Sequence, residues 1–193
     1  MAQIAQNHAT FHGGKHIGGE LRLHLYMPRY PQLNIALLLL AFTIYAAQSL
    51  PVTPAETLSG KKLEFPTALA GKTAVCVFGF SKEAGDHTKV WMTRLAQDGI
   101  DAWSVANLEK APAMVRGMIR GSMRKGTPAS RLDHSLIMTK DEKVWRQVLG
   151  VKQDNFPVVV LLDSSVKVIW TYEDVFGDEA FQQLKSELAA TAR

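Results

Sequence analysis

The side chains that could do chemistry are few, and their spacing limits what they can do. There is a single cysteine, Cys76. One thiol excludes an intramolecular disulfide, a CxxC redox pair, a multi-cysteine zinc site and an iron–sulfur cluster held by several cysteines of this chain. Cys76 stands between Val75 and Val77 in an apolar run, T-A-V-C-V-F-G-F. Burial there would raise the thiol pKa and leave the sulfur inert. Glu83, Asp86 and His87 lie close together in the chain. Carboxylates so placed suit the start of a helix, where they accept backbone N–H bonds and complement the dipole. A Glu/Asp/His metal site is the other reading, but such a cluster is not a ligand geometry by itself, and no metal or cofactor is expected. Arg116, Arg120 and Arg124 recur every fourth residue. On a helix they make one cationic stripe opposite Met114, Val115, Met118, Ile119 and Ser122, either a solvated face or a contact for anionic lipid or an acidic partner. His8, His12 and His16 repeat with the same spacing, but Gly13, Gly14, Gly18 and Gly19 argue against a helix there. No Gly-rich phosphate loop, G-x-S-x-G elbow or H-E-x-x-H pair occurs.

With 193 residues the chain has room for one domain, or two small ones. A composition of 47% apolar and 21% charged residues argues against wholesale disorder, collagen or a coiled-coil rod. Residues Ile35 to Ala47 form thirteen uncharged positions, short of the roughly 20 that a spanning helix needs. The run fits the hydrophobic region of a secretory signal, preceded by Met27-Pro28-Arg29 and followed by the small residues of Ala47-Gln48-Ser49. Residues 1–26 are therefore read as an upstream leader or a mis-called start, 27–49 as a signal peptide or anchor, and 50–193 as the folded domain. The expected destination is periplasmic or secreted, with membrane association through residues 33–49 if the segment is retained. From residue 50 onward 12 Lys and 7 Arg stand against 9 Asp and 8 Glu, a net charge of +2. That gives no electrostatic case for nucleic acid.

The elements that must position these residues follow in a definite order. Thr73–Phe80 is continuously apolar and β-rich, as in a strand covered on both faces. S-K-E-A-G-D reads as a loop with cap residues, and a helix is predicted from about His87 to Gln97, with Val90, Trp91, Arg94 and Leu95 at helical spacing. Ile100–Leu108 is a second strand, completing a right-handed βαβ unit. A helix is predicted over Pro112–Lys125, a short strand over Ser135–Thr139, and a helix from Asp141 to Leu149 stopped by Gly150. Pro157–Asp163 is a buried strand, Lys167–Tyr172 its antiparallel partner, and Asp178–Ala192 an amphipathic helix with Phe181, Leu184 and Leu188 inward. Pro51 and Pro54 read as an extended linker before the domain.

This order resembles the thioredoxin-like superfamily over about residues 58–190. Gly71-Lys72 leading into the strand and F-G-F-S look like the opening of exported thioredoxin-like reductases. Asn155-Phe156-Pro157 before V-V-V-L-L-D looks like the family's cis-proline and the strand after it. The resemblance implies an α/β three-layer sandwich with a mixed central sheet of about five strands. In that family W-C-x-x-C opens the helix after the first strand. Here Lys82, Glu83, Ala84, Gly85 and Asp86 occupy those positions, so Glu83 and Asp86 replace the cysteines and cannot form a mixed disulfide. The family exposes the backbone before its proline to a substrate chain, so Phe156 and Pro157, beside Lys82, Glu83, Asp86 and His87, form a candidate groove for a protein or peptide partner. Arg124, Pro128, Arg131, Arg146, Leu149, Asp163, Ile169 and Trp170 resemble positions in two cysteine-poor thioredoxin-like groups. These are the assembly-factor family of the mitochondrial ATP synthase and a set of small bacterial periplasmic proteins. The assembly factors lack an obvious Asn155-Phe156-Pro157, and Ser164-Ser165-Val166 replaces their Gly-bearing turn. The expected function is an exported, non-redox binding, chaperone or assembly module with no assigned catalytic residue. The alternative is a thiol oxidoreductase or peroxidase using Cys76.

Overall fold

The computed structural model describes residues 50–191. The leader histidines, the Met27 start and the signal or anchor segment lie outside the described residues. Seven strands form one sheet in the order β2-β1-β5-β4-β3-β6-β7. They are β1 (Thr53–Thr57), β2 (Lys62–Phe65), β3 (Ala74–Gly79), β4 (Ala102–Asn107), β5 (Ser135–Met138), β6 (Val158–Leu162) and β7 (Val168–Glu173). The four α-helices of the described residues are α1 (Lys82–Gln97), α2 (Ala113–Gly126), α3 (Glu142–Leu149) and α4 (Asp178–Thr191). Strands β3, β4 and β5 run parallel, and β6 and β7 continue the sheet antiparallel beyond β3.

The β3 side chains alternate between two cores, as a pleated strand requires. Cys76 and Phe78 enter one with Phe65, Met138, Trp145 and Val160. Val75 and Val77 enter the other with Trp91, Leu95, Phe181 and Leu184. Helices α1 and α4 therefore cover one face of the sheet and α3 the other, giving three layers. Each helix is placed by a narrow apolar stripe: Trp91 and Leu95 on α1, Trp145 and Leu149 on α3, Phe181 and Leu184 on α4. Val90, at helical spacing with Trp91 and Leu95, is exposed.

The sheet is two strands wider than expected. The segment read as a linker is the β1–β2 hairpin, antiparallel to each other and, through β1, to β5. Pro54 is compatible with this because β1 meets β5 only from Ala55 onward, so at Pro54 the ladder has a partner on one side alone. A polar relay fixes the hairpin to α3. Trp145 Nε1 donates to Thr53 Oγ1 at 3.0 Å, and Thr53 Oγ1 donates to Asp141 Oδ2 at 2.8 Å. The Trp145 ring packs against Phe65 and Phe78 at centroid distances of 5.4 and 5.3 Å. Helix α3 closes with a Schellman pair: Gly150, at φ 67°, donates to Gln147 O, and Val151 N donates to Arg146 O.

The β6–β7 turn replaces an expected glycine with Val166, held at φ 58°. Asp163 organises the turn, its Oδ1 accepting from Ser165 N, Ser165 Oγ and Lys167 N at 2.8, 2.8 and 2.9 Å. Desolvation pushes the Asp163 pKa up, but hydrogen bonds from Lys167 and Ser165 outweigh it and hold the carboxyl below its usual range. A depressed carboxyl pKa gives stability present above the unfolded value and lost as pH falls through the folded one. Asp163→Asn should therefore lose about 1 kcal/mol near neutral pH, with the difference from wild type narrowing below about pH 4. Urea denaturation across that range checks it, and a pH-independent difference contradicts it. Trp145→Ala should cost about 3–5 kcal/mol by the same measurement, because a fully buried aromatic side chain is removed.

Candidate functional site

The end of β3 delivers the chain to the start of α1, where the sequence placed its candidate groove. Ser81 is extended at φ −143° and caps the helix, its Oγ accepting from Ala84 N at 3.1 Å. The helix thus begins at Lys82, earlier than expected, because Ser81 supplies the cap and Ala84 buries against the sheet. Lys82 and Glu83 are exposed in the first turn. Asp86 pairs with exposed Lys89 at 2.7 Å, and that hydrogen bond and charge hold the Asp86 carboxyl below its usual range. The His87 and Phe156 rings lie 6.2 Å apart, and Pro157 beside Phe156 is buried. The structure therefore brings the start of α1 and the segment before β6 together at one end of the sheet.

Two points stood open in the sequence, the state of the bond before Pro157 and the grouping of Glu83, Asp86 and His87. The cis peptide bond among the described residues is Phe65–Pro66, so the bond before Pro157 is trans. Glu83, Asp86 and His87 do not converge, and among the described residues no three His, Cys, Asp or Glu side chains could hold a metal ion. The physical reason is that Asp86 turns along its own helix to Lys89 while His87 packs on Phe156.

Cys76 is sealed within β3, between Trp103 of β4 and Val160 of β6 in the ladder. It is fully buried, and desolvation drives its thiol pKa far above the ordinary value. A sulfur so placed is neither a thiolate nor open to a substrate.

The arginine stripe is only partly solvated. Arg116 turns back to the loop, Nε donating to Ala111 O at 2.8 Å and a terminal nitrogen to Glu109 O at 2.7 Å. Arg120 pairs with Glu56 of β1 at 2.6 Å, and Arg124 is exposed. On the opposite face Met114 and Met118 meet solvent, 93% and 75% exposed, while Val115 and Ile119 are half-buried. Helix α2 buries no residue completely: Arg120 reaches Glu56 of the sheet, and Arg116 turns to loop carbonyls.

A second cluster at the same end of the sheet was not anticipated. Glu109, Lys110, Glu142, Lys143 and Arg146 line an open cleft of about 490 Å³. Glu142, at the start of α3, is 3% exposed. Its Oε1 receives Lys110 at 3.0 Å and Arg146 Nε at 2.8 Å, and its backbone N–H donates to Glu109 Oε2 at 2.6 Å. Glu109, from the loop after β4, thus caps α3 in place of Asp141, whose carboxylate is held by Thr53. Arg146 also meets Asp154 at 2.5 Å and lies 4.9 Å from the Phe80 ring centroid, next to the α1 cap. Burial opposes the Arg146 charge, but Glu142 and Asp154 outweigh it and raise its pKa. The sequence signal for this cluster was the i,i+4 pair Glu142 and Arg146; nothing local linked it to Glu109 and Lys110.

Helices on both faces of a sheet with three central parallel strands and an antiparallel β6–β7 extension define a thioredoxin-like fold, and solved structures agree. The exposed lipoprotein thioredoxin of Streptococcus pneumoniae is similar at a TM-score of 0.50 and 15% identity, covering 72% of this chain and 100% of its own. A SCO1/SenC family lipoprotein from Bacillus anthracis gives 0.51 at 12% identity, over 77% and 97%. BsSco, a member of the Sco family of cytochrome c oxidase assembly proteins, gives 0.50 at 13%, over 73% and 94%. At these identities the likeness concerns the fold. No protein-family model and no curated protein sequence matches the chain.

If Ser81 is what starts α1, Ser81→Ala should lower stability by about 1 kcal/mol. Glu83→Gln, at an exposed position, should change it by less than about 0.5 kcal/mol. Thermal unfolding of the two variants tests the contrast, and equal losses would contradict it.

Proposed function

We propose that this chain is a non-redox binding or assembly module on a thioredoxin fold, presenting the start of α1 and the Phe156–Pro157 segment to a protein or peptide partner. One observation carries the reading. The sole thiol, Cys76, is locked inside the sheet, while the helix start that bears the nucleophile in redox members holds Ser81, Lys82 and Glu83. The arrangement of His87 against Phe156 supports a partner surface there, since it leaves a partly exposed aromatic pair beside a strand end. Export is supported by the uncharged run at residues 35–47 and by fold likeness to two bacterial lipoproteins. Retention of the run would give membrane association through residues 33–49. The near-neutral charge of the domain favours a protein partner over nucleic acid.

Thiol chemistry is the measurement that decides. The purified chain should show no disulfide reduction or peroxide turnover above background with external thiols, and Cys76→Ser should change nothing. Turnover that disappears in Cys76→Ser would overturn the proposal and restore an enzyme using that sulfur.

A further inference from the structure

The Glu142 cleft contains a group whose hydrogen bonding is incomplete. Among the described residues Glu142 Oε2 is buried and has no hydrogen-bond partner, although Oε1 of the same carboxylate is met by Lys110 and Arg146. A buried acceptor left without a donor destabilises the site, the more so when charged. A donor entering the cleft would remove that destabilisation.

The remaining lining restricts what can bring the donor. Three cations, Lys110, Lys143 and Arg146, face two carboxylates, Glu109 and Glu142. A divalent metal ion would meet three positive charges. A dianionic phosphate would meet both carboxylates. Arg146 Nε is bonded to Glu142, and its Nη2 lies beside Asp154 without a hydrogen-bond partner among the described residues, so it also favours an incoming acceptor; Lys143 is exposed and has no carboxylate partner among the described residues. Lys110 touches Glu142 from an exposed position, with 68% of its side chain accessible, so it can turn toward a new anion. The complement is one negative charge with a hydrogen-bond donor close beside it, on a molecule small enough for about 490 Å³.

We propose that this cleft binds a carboxylate bearing an N–H or ammonium donor on its α-carbon, the carboxylate against Lys143 and Lys110 and the donor on Glu142 Oε2. A free amino acid and the C-terminal residue of a peptide share that chemistry. A chain that proved to have thiol activity would still possess this cleft, so failure of the ligand and failure of the redox-silent reading are distinguishable.

The test is titration of the purified full-length chain with glycine, N-acetylglycine and propionate, followed by calorimetry and amide chemical shifts. Glycine or N-acetylglycine should bind at least about tenfold more tightly than propionate, which has the carboxylate without the donor. Tighter glycine binding identifies a free amino acid, and tighter N-acetylglycine binding a peptide C-terminus. Lys143→Glu, at an exposed position that leaves the fold intact, should weaken the better ligand by about tenfold or more. Absence of binding by both donor-bearing ligands up to about 20 mM, propionate binding equally well, or an unaffected Lys143→Glu would each overturn the proposal.

Discussion

Strand β3 has no face that meets water. It is paired in parallel to β4 and antiparallel to β6, and its side chains from Ala74 to Gly79 are buried on both sides of the sheet. Burial on both faces removes water as a partner for its backbone, so every N–H and C=O must be met within the ladder. It also commits successive residues to opposite cores, so a one-residue slip would exchange the Cys76/Phe78 set with the Val75/Val77 set. The remaining elements answer that constraint: β4 and β6 satisfy the ladder, α1 and α4 close one core, and α3 with the β1–β2 hairpin closes the other.

The same constraint positions the surface where function is proposed. Because β3 runs straight to Phe80 and Ser81, the start of α1 is held by a strand buried along its whole length. Phe80 takes the Arg146 guanidinium over its ring, and Arg146 reaches Glu142 and Asp154. The two regions of chemical interest, the His87–Phe156 pair and the Glu142 cleft, therefore both adjoin the end of one rigid strand. Rigid support of this kind is what a recognition surface needs, since less conformational freedom is lost on binding.

The central and C-terminal elements were legible because their apolar residues form continuous runs or repeat at a helix period. That held for Thr73–Phe80, for V-V-V-L-L-D and for Phe181, Leu184 and Leu188. The β1–β2 hairpin was not, because T-P-A-E-T and K-L-E-F carry Pro54 and several charges and become strands through long-range pairing with β5 and packing of Phe65 and Thr53 on Trp145. The true start of α1 was obscured by Gly85 and by charged residues that tertiary burial of Ala84 overrides. The arginine stripe was legible as spacing but not as orientation, since Glu56 and the carbonyls of Glu109 and Ala111 are distant or loop partners. The Glu142 cleft joins the loop after β4 to the start of α3, a juxtaposition made by the parallel β4–β5 pairing and absent from any local pattern.

Cys76 has a use that follows from its inertness. A thiol reagent can reach it only when β3 separates from its neighbours and at least one core opens, events that approach unfolding of the domain. The chain is thus supplied with one reporter, in a strand buried on both faces, whose alkylation rate reads the free energy of opening. No label need be introduced, and no second thiol confuses the signal.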